Sequence, residues 1–325
     1  MGHPVFSRRI VLQGLAASSA ALALPRAALA DGKLNVVTTT GMIADAARAV
    51  GGDLVEVTAL MGPGVDPHSY RQTRSDIVAL TRADLVLWHG LYLEAQMEDF
   101  LLNLADRQPV VVVTDSLDEA KLIDHEDYES RFDPHVWMDP ALWAGVVGRV
   151  ATALKELRPN AADMIDANAA AHLAELMQLS DYTASALGSV PEESRVLLTA
   201  HDAFGYFGSA YRFEVMGIQG ISTASEAGLS RITELVNMLV DRQIGAVFVE
   251  SSVSDRNIRA LIEGAAAKGH DVRIGGSLFS DAMGAPGTYE GTYVGMIDHN
   301  VTTISAALGG DVPARGMSGR LSAGS

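Results

Sequence analysis

The chain has 325 residues, with 48% hydrophobic and 20% charged residues, 31 Gly and 11 Pro, a globular composition that excludes wholesale disorder and collagen-like or low-complexity arrays. Its net charge of −16 repels phosphate and argues against nucleic acid as a partner. It contains no cysteine, which excludes disulfides, iron–sulfur clusters and thiolate zinc sites, so any metal here must be held by His, Asp or Glu.

Residues 1–30 carry Arg8, Arg9 and Arg26 and no acid. A twin arginine, an Ala-rich apolar run and the small residues Ala28-Leu29-Ala30 form the pattern of a cleaved signal, here of the type read by the twin-arginine (Tat) export machinery. Without these residues the net charge becomes −19. No later segment reads as a membrane span.

Short β-branched runs then recur, each followed by a helical pattern. In the first half they are residues 35–40, 55–61, 85–88 and 110–114; in the second, 196–199, 213–216, 246–249 and 272–274. Several are apolar without alternation, as strands buried on both faces should be. Helical patterns cover residues 74–82, 91–106, 232–242 and 255–268. The alternation predicts an α/β fold of two lobes, each a roughly four-stranded parallel sheet with helices. Between them, residues 160–187 contain neither Gly nor Pro, Pro159 precedes them and Gly188 follows. This reads as one rigid helix about 42 Å long at about 1.5 Å per residue, either joining two lobes or packed within a single domain. The expected division is a signal over 1–30, an N-terminal lobe over 31–157, a linker helix over 158–190, a C-terminal lobe over 191–311 and a flexible Gly/Ser/Arg-rich tail over 312–325.

Chemistry concentrates at the carboxyl ends of the predicted strands, where open α/β sheets bind ligands. Two copies of Asp-Pro-His occur there, Asp66-Pro67-His68 and Asp133-Pro134-His135, each with a Pro that stiffens the loop presenting the His. The second half offers Thr199-Ala200-His201-Asp202 and Ser280-Asp281. Taken singly, His201 also reads as a core histidine and Asp281 as a helix cap. Together, His68, His135, His201 and Asp281 supply three imidazoles and one carboxylate, two from each half, meeting in a cleft. That N/O set suits Zn²⁺, Mn²⁺ or Fe²⁺, and four ligands without an evident open position suit binding better than catalysis. Glu250, at a strand end, reads either as a hydrogen-bond partner for a ligating imidazole or as an ordinary strand-end carboxylate.

These motifs, with the runs Gly220-Ile221-Ser222-Thr223-Ala224-Ser225-Glu226-Ala227, Phe279-Ser280-Asp281-Ala282-Met283-Gly284 and Gly291-Thr292-Tyr293, resemble the TroA-like (cluster A-I) metal-binding proteins of zinc and manganese ABC importers. The resemblance covers nearly all of the chain after the signal. It implies two α/β lobes joined by a rigid helix, metal at their interface on His68, His135, His201 and Asp281, and delivery of the ion to a membrane permease by a monomer. Two departures stand out. There is no cysteine for lipid attachment, which leads to the expectation of a soluble periplasmic protein that is not a lipoprotein. The acidic stretch 124–129 holds a single His where zinc-specific members carry a long His-rich loop. His at position 201 favours zinc or mixed zinc/manganese binding, since manganese-selective members tend to place Glu there. The competing readings are a metalloenzyme using the same His₃Asp set and a receptor for a siderophore-type ligand. No His-Glu-x-x-His and no Gly-x-Ser-x-Gly supports the first.

Overall fold

The computed structural model describes residues 32–125, 128 and 130–322; the expected signal over 1–30 lies outside the described residues. The first half is built from β1 (Leu34–Thr38), α1 (Gly41–Gly51), β2 (Val55–Ala59), α2 (Arg74–Arg82), β3 (Leu85–Trp88), α3 (Glu98–Ala105) and β4 (Val110–Val112). All pairings are parallel, in the order β2-β1-β3-β4. The run Leu85-Val86-Leu87-Trp88 is buried at every position, as its lack of alternation required. The second half follows the same plan: β5 (Val196–His201), α6 (Gly205–Tyr211), β6 (Glu214–Gln219), α7 (Leu229–Asp241), β7 (Ala246–Glu250), α8 (Arg256–Ala267) and β8 (Arg273–Leu278). Its four strands are hydrogen-bonded as two parallel pairs, β5-β6 and β7-β8, with β5 lying beside β7.

Between the halves run α4 (Pro140–Leu157) and α5 (Ala162–Gly188), and α9 (Tyr293–Ala307) closes the fold. Asp139 caps α4 and Pro140 occupies its first turn, where a missing N–H costs nothing. The long helix α5 is no free-standing spacer. Ile165, Ala169, His172, Leu176, Leu179, Thr183 and Ala186 form a buried stripe stepping four and three residues, and it packs on α1, α4 and α9. The main core therefore runs through both halves, from Val36 through Trp143 and Leu176 to Phe204 and Tyr293. The described residues from Lys33 onward form one compact unit.

Two expectations change. The helix expected over 91–106 begins at Glu98, because Gly90, Leu91 and Tyr92 all take left-handed backbone angles. The buried Glu94 carboxylate holds that turn, accepting the N–H groups of His89 and Gly90 and the hydroxyl of Thr39. The segment over 312–322, expected as a flexible tail, is tied down: Leu321 is buried, and the backbone N–H groups of Met317 and Ser322 bond to Asp298 and Glu290.

Candidate metal centre

The two Asp-Pro-His tripeptides make the same local turn. Asp66 Oδ1 accepts the His68 N–H at 2.9 Å, and Asp133 Oδ1 accepts the His135 N–H at 2.8 Å. Each aspartate thus locks the backbone of the His two residues on, and the intervening Pro removes one dihedral freedom. The side chains then diverge. Asp133 Oδ1 also bonds His135 Nδ1 at 2.7 Å, whereas Asp66 Oδ2 accepts the hydroxyls of Ser69 and, at 2.6 Å from the other half of the chain, Thr223.

His201 is the last residue of β5, and Glu250 is the last of the adjacent β7. One Glu250 oxygen accepts the His201 N–H at 2.8 Å, and the other makes a short hydrogen bond to His201 Nδ1. Asp281 follows β8 in the loop leading to α9. Trp137 Nε1 donates to the carbonyl of Ser280 at 2.8 Å, and the Tyr293 hydroxyl donates to the carbonyl of Trp137 at 2.7 Å. The 3₁₀ turn after His135 and the loop bearing Asp281 are therefore fastened to each other.

Outer carboxylates aim His135 and His201 with their Nε2 atoms inward. His68 Nε2 lies 3.2 Å from His135 Nε2, Asp281 Oδ1 lies 3.5 Å from His135 Nε2, and Asp281 Oδ2 lies 3.3 Å from His201 Nε2. One donor atom from each of the four residues falls within 4.8 Å of all the others, and all four residues are buried. Four donors about 2.05 Å from a tetrahedral Zn²⁺ stand about 3.3 Å apart, which the three spacings of 3.2, 3.5 and 3.3 Å match. His201 Nε2 and Asp281 Oδ1 have no hydrogen-bond partner among the described residues, although both are fully buried. Orphaned buried polar atoms are costly, and these converge on one point.

The charges are arranged accordingly. Burial pushes His68 down to about 3, opposed by Asp281 and reinforced by the other imidazoles. Burial also presses down on His135, but the Asp133 and Asp281 carboxylates overcome it and hold that imidazole up at about 9. His201 is likewise raised well above the usual range, with Asp281 and Glu250 outweighing burial. Asp281 is held well below the carboxylate range despite burial by His201, His135 and His68.

Every residue singled out as a candidate ligand is in this cluster, and Glu250 is beside it. Sequence reasoning missed Asp133 and Trp137, which support the site. Their signal was present: Asp133 is part of the repeated tripeptide, and Trp137 follows it. Three other histidines bond backbone carbonyls. His89 Nε2 lies 2.6 Å from the carbonyl of Pro134, and the rings of His270 and His299 bond the carbonyls of Ile244 and Ser277.

Fold and site together define a protein class, an α/β chain enclosing a buried His₃Asp centre between its halves. The family model described as ZnuA, zinc-uptake complex component A periplasmic, matches residues 36–307, and the chain belongs to that family. It is 48% identical over 279 residues to the manganese-binding lipoprotein MntA of Bacillus subtilis, covering 86% of this chain and 91% of the relative. It is 47% identical over 281 residues to the zinc-binding protein TroA of Treponema pallidum, with the same shares covered. A solved structure of the periplasmic zinc-binding TroA from that organism superposes with a TM-score of 0.83 at 46% identity, over 85% of this chain and 99% of that one.

The relatives correct one expectation. MntA is named a lipoprotein, as are relatives from Halalkalibacterium halodurans and Streptococcus parasanguinis. This overturns the placement as a soluble periplasmic protein, exported by a twin-arginine signal and not a lipoprotein. That placement rested on the twin-arginine pattern over residues 1–30 and on the absence of cysteine.

Proposed function

We propose that this protein is the metal-binding component of an ABC importer. As a monomer it takes one divalent ion, Zn²⁺ or Mn²⁺, onto His68, His135, His201 and Asp281 and hands it to the membrane permease. The observation that carries this reading is the convergence of four buried donor atoms at coordination-shell spacing. Family membership supports the transport role. Burial of all four side chains supports holding an ion rather than exposing it to a substrate. Three nitrogens and one oxygen favour Zn²⁺ over Mn²⁺ in raw affinity, and Fe²⁺ suits the same set. Titration calorimetry of the intact chain tests this. One ion per chain is expected, with Zn²⁺ tighter than Mn²⁺, and a chain that takes up neither ion refutes the reading.

The outer carboxylates give a second expected result. Glu250→Gln keeps an oxygen to accept the His201 N–H but loses the negative charge that makes His201 a strong donor to metal. Zn²⁺ affinity should fall by roughly 10–100-fold, as is usual when such a partner is changed. Unchanged affinity in the same calorimetry would mean that Glu250 serves only β5 and β7.

A further inference from the structure

Residues 308–322 lie beyond the stretch 36–307 that matches the family, yet they are built into this fold. Leu321 is buried in the main core. The Met317 N–H is shared between both oxygens of Asp298, at 2.9 and 3.0 Å. Gly316 takes a left-handed turn against that carboxylate, and a Cβ there would collide with it. The Ser322 N–H donates to Glu290 Oε1 at 2.7 Å, and the Arg320 guanidinium sits 4.5 Å over the ring of Tyr289. Tyr289 in turn donates its hydroxyl to Asp298.

Tyr289 and Glu290 belong to the loop between β8 and α9 that carries Asp281. The carbonyl of Glu290 accepts the N–H of Gly284 at 2.8 Å, three residues from Asp281. A continuous line of contacts thus runs from Ser322 through Glu290 and Gly284 to the fourth donor. On its other side the loop faces a cavity of about 540 Å³, bounded by Gly41, Asp45 and Met61 opposite Met283, Thr288 and Arg320. The stretch 283–288 thus borders open space and Arg320 forms part of that wall, while the Asp281 end of the loop is held by Trp137 on Ser280 and by Ser252 on Ser280 and Asp281. The other three donors are held by their own elements: His201 ends a strand, and His68 and His135 are locked by the aspartate two residues before each.

We propose that residues 313–322 are a strap that holds the Asp281 loop closed and so sets the rate at which the metal leaves. This rests on Asp281 being a ligand, as proposed above. Glu290, Ser322 and Leu321 are positioning residues: they act on the ion through the loop.

Release of Zn²⁺ and Mn²⁺ to an excess of chelator would be timed in four proteins. These are the full chain, Ser322→Pro, a chain ending at Ala314, and Leu101→Ala, which perturbs the separate core cluster under α3. Ser322→Pro removes both the backbone and the side-chain hydrogen bond to Glu290 and keeps the Leu321 side chain. It should speed release about tenfold, on the order of what hydrogen bonding to a charged group contributes, with little change in melting temperature. The chain ending at Ala314 should release faster still. Leu101→Ala should melt earlier without faster release. Unchanged release in both strap variants overturns the proposal, as does equal acceleration in Leu101→Ala at a matched loss of stability. A full chain that takes up neither ion refutes the functional reading itself, and this inference with it, which distinguishes the two failures.

Discussion

Replacing His68 and Asp281 together by Ala is expected to lower affinity for both Zn²⁺ and Mn²⁺ by at least about 10³-fold, or about 4 kcal/mol. One donor comes from each half of the chain, so neither half retains its pair. Disturbing a single outer partner of a ligand costs roughly 10–100-fold, and two direct donors must exceed that. The remaining imidazoles, His135 and His201, cannot complete a tetrahedron alone. The fold should survive. Asp281 is among the groups that raise His135 and His201 against burial, so without it both imidazoles tend toward their neutral forms instead of remaining as uncompensated buried cations. Calorimetry on the variant, with circular dichroism to confirm folding, checks the result. A folded variant that binds within tenfold of the intact chain would show that the ligand set is wrong.

That these four candidate ligands cluster was legible from where they sit in the chain. Strand-end loops in α/β folds are the ligand-binding positions, and two identical Asp-Pro-His tripeptides in such loops are hard to assign to turns alone. What each aspartate does was not legible. Asp133 reaches the Nδ1 of its own histidine and Asp66 reaches Thr223, 157 residues away, although the local turns are the same. The difference lies in what packs around each loop, and a tripeptide carries no record of that. Glu250 could be placed at a strand end, but its role depended on β7 lying beside β5, which sequence order does not dictate.

The strap shows the opposite failure. Residues 312–325 are rich in Gly, Ser and Arg and read as unstructured. Only one large apolar residue among the last few, Leu321, is driven into the core. Much of the remaining order comes from backbone N–H groups finding two buried carboxylates, Asp298 and Glu290, on distant elements. Backbone donors are present in every residue, so composition cannot reveal which will be satisfied. The turn over 90–92 was lost to the same cause, since buried Glu94 overrides a helical pattern by capturing two backbone donors. The extent of α5 was visible from the absence of Gly and Pro over 160–187, but whether it met one half or both could not be read from its own residues.

Affinity for Zn²⁺ should rise steeply with pH well above the range of a free imidazole. From sequence alone, ordinary histidines near 6.5 predict weakening only below about pH 6.5. The structure changes this. His68 is held down at about 3, so it is neutral and ready at any working pH. His135 is held up at about 9, and His201 is raised as well, so the metal-free protein keeps both as imidazolium at neutral pH. A metal ion binds only the neutral nitrogen and must expel both protons. Between pH 6 and 8 the affinity should therefore climb by on the order of 10³–10⁴, and uptake at pH 7 should release about two protons. The same shifts give the metal-free fold the opposite trend. A raised imidazole stabilises the fold fully below about 6.5 and loses that contribution as pH rises through about 9, so metal-free protein should weaken over this window while metal-loaded protein does not. Calorimetry in buffers of different ionisation enthalpy counts the protons, and melting curves with and without Zn²⁺ from pH 6 to 9 follow the stability. Release of less than half a proton would mean that His135 and His201 already stand neutral, with their carboxylates serving to orient them rather than to hold protons that the metal replaces.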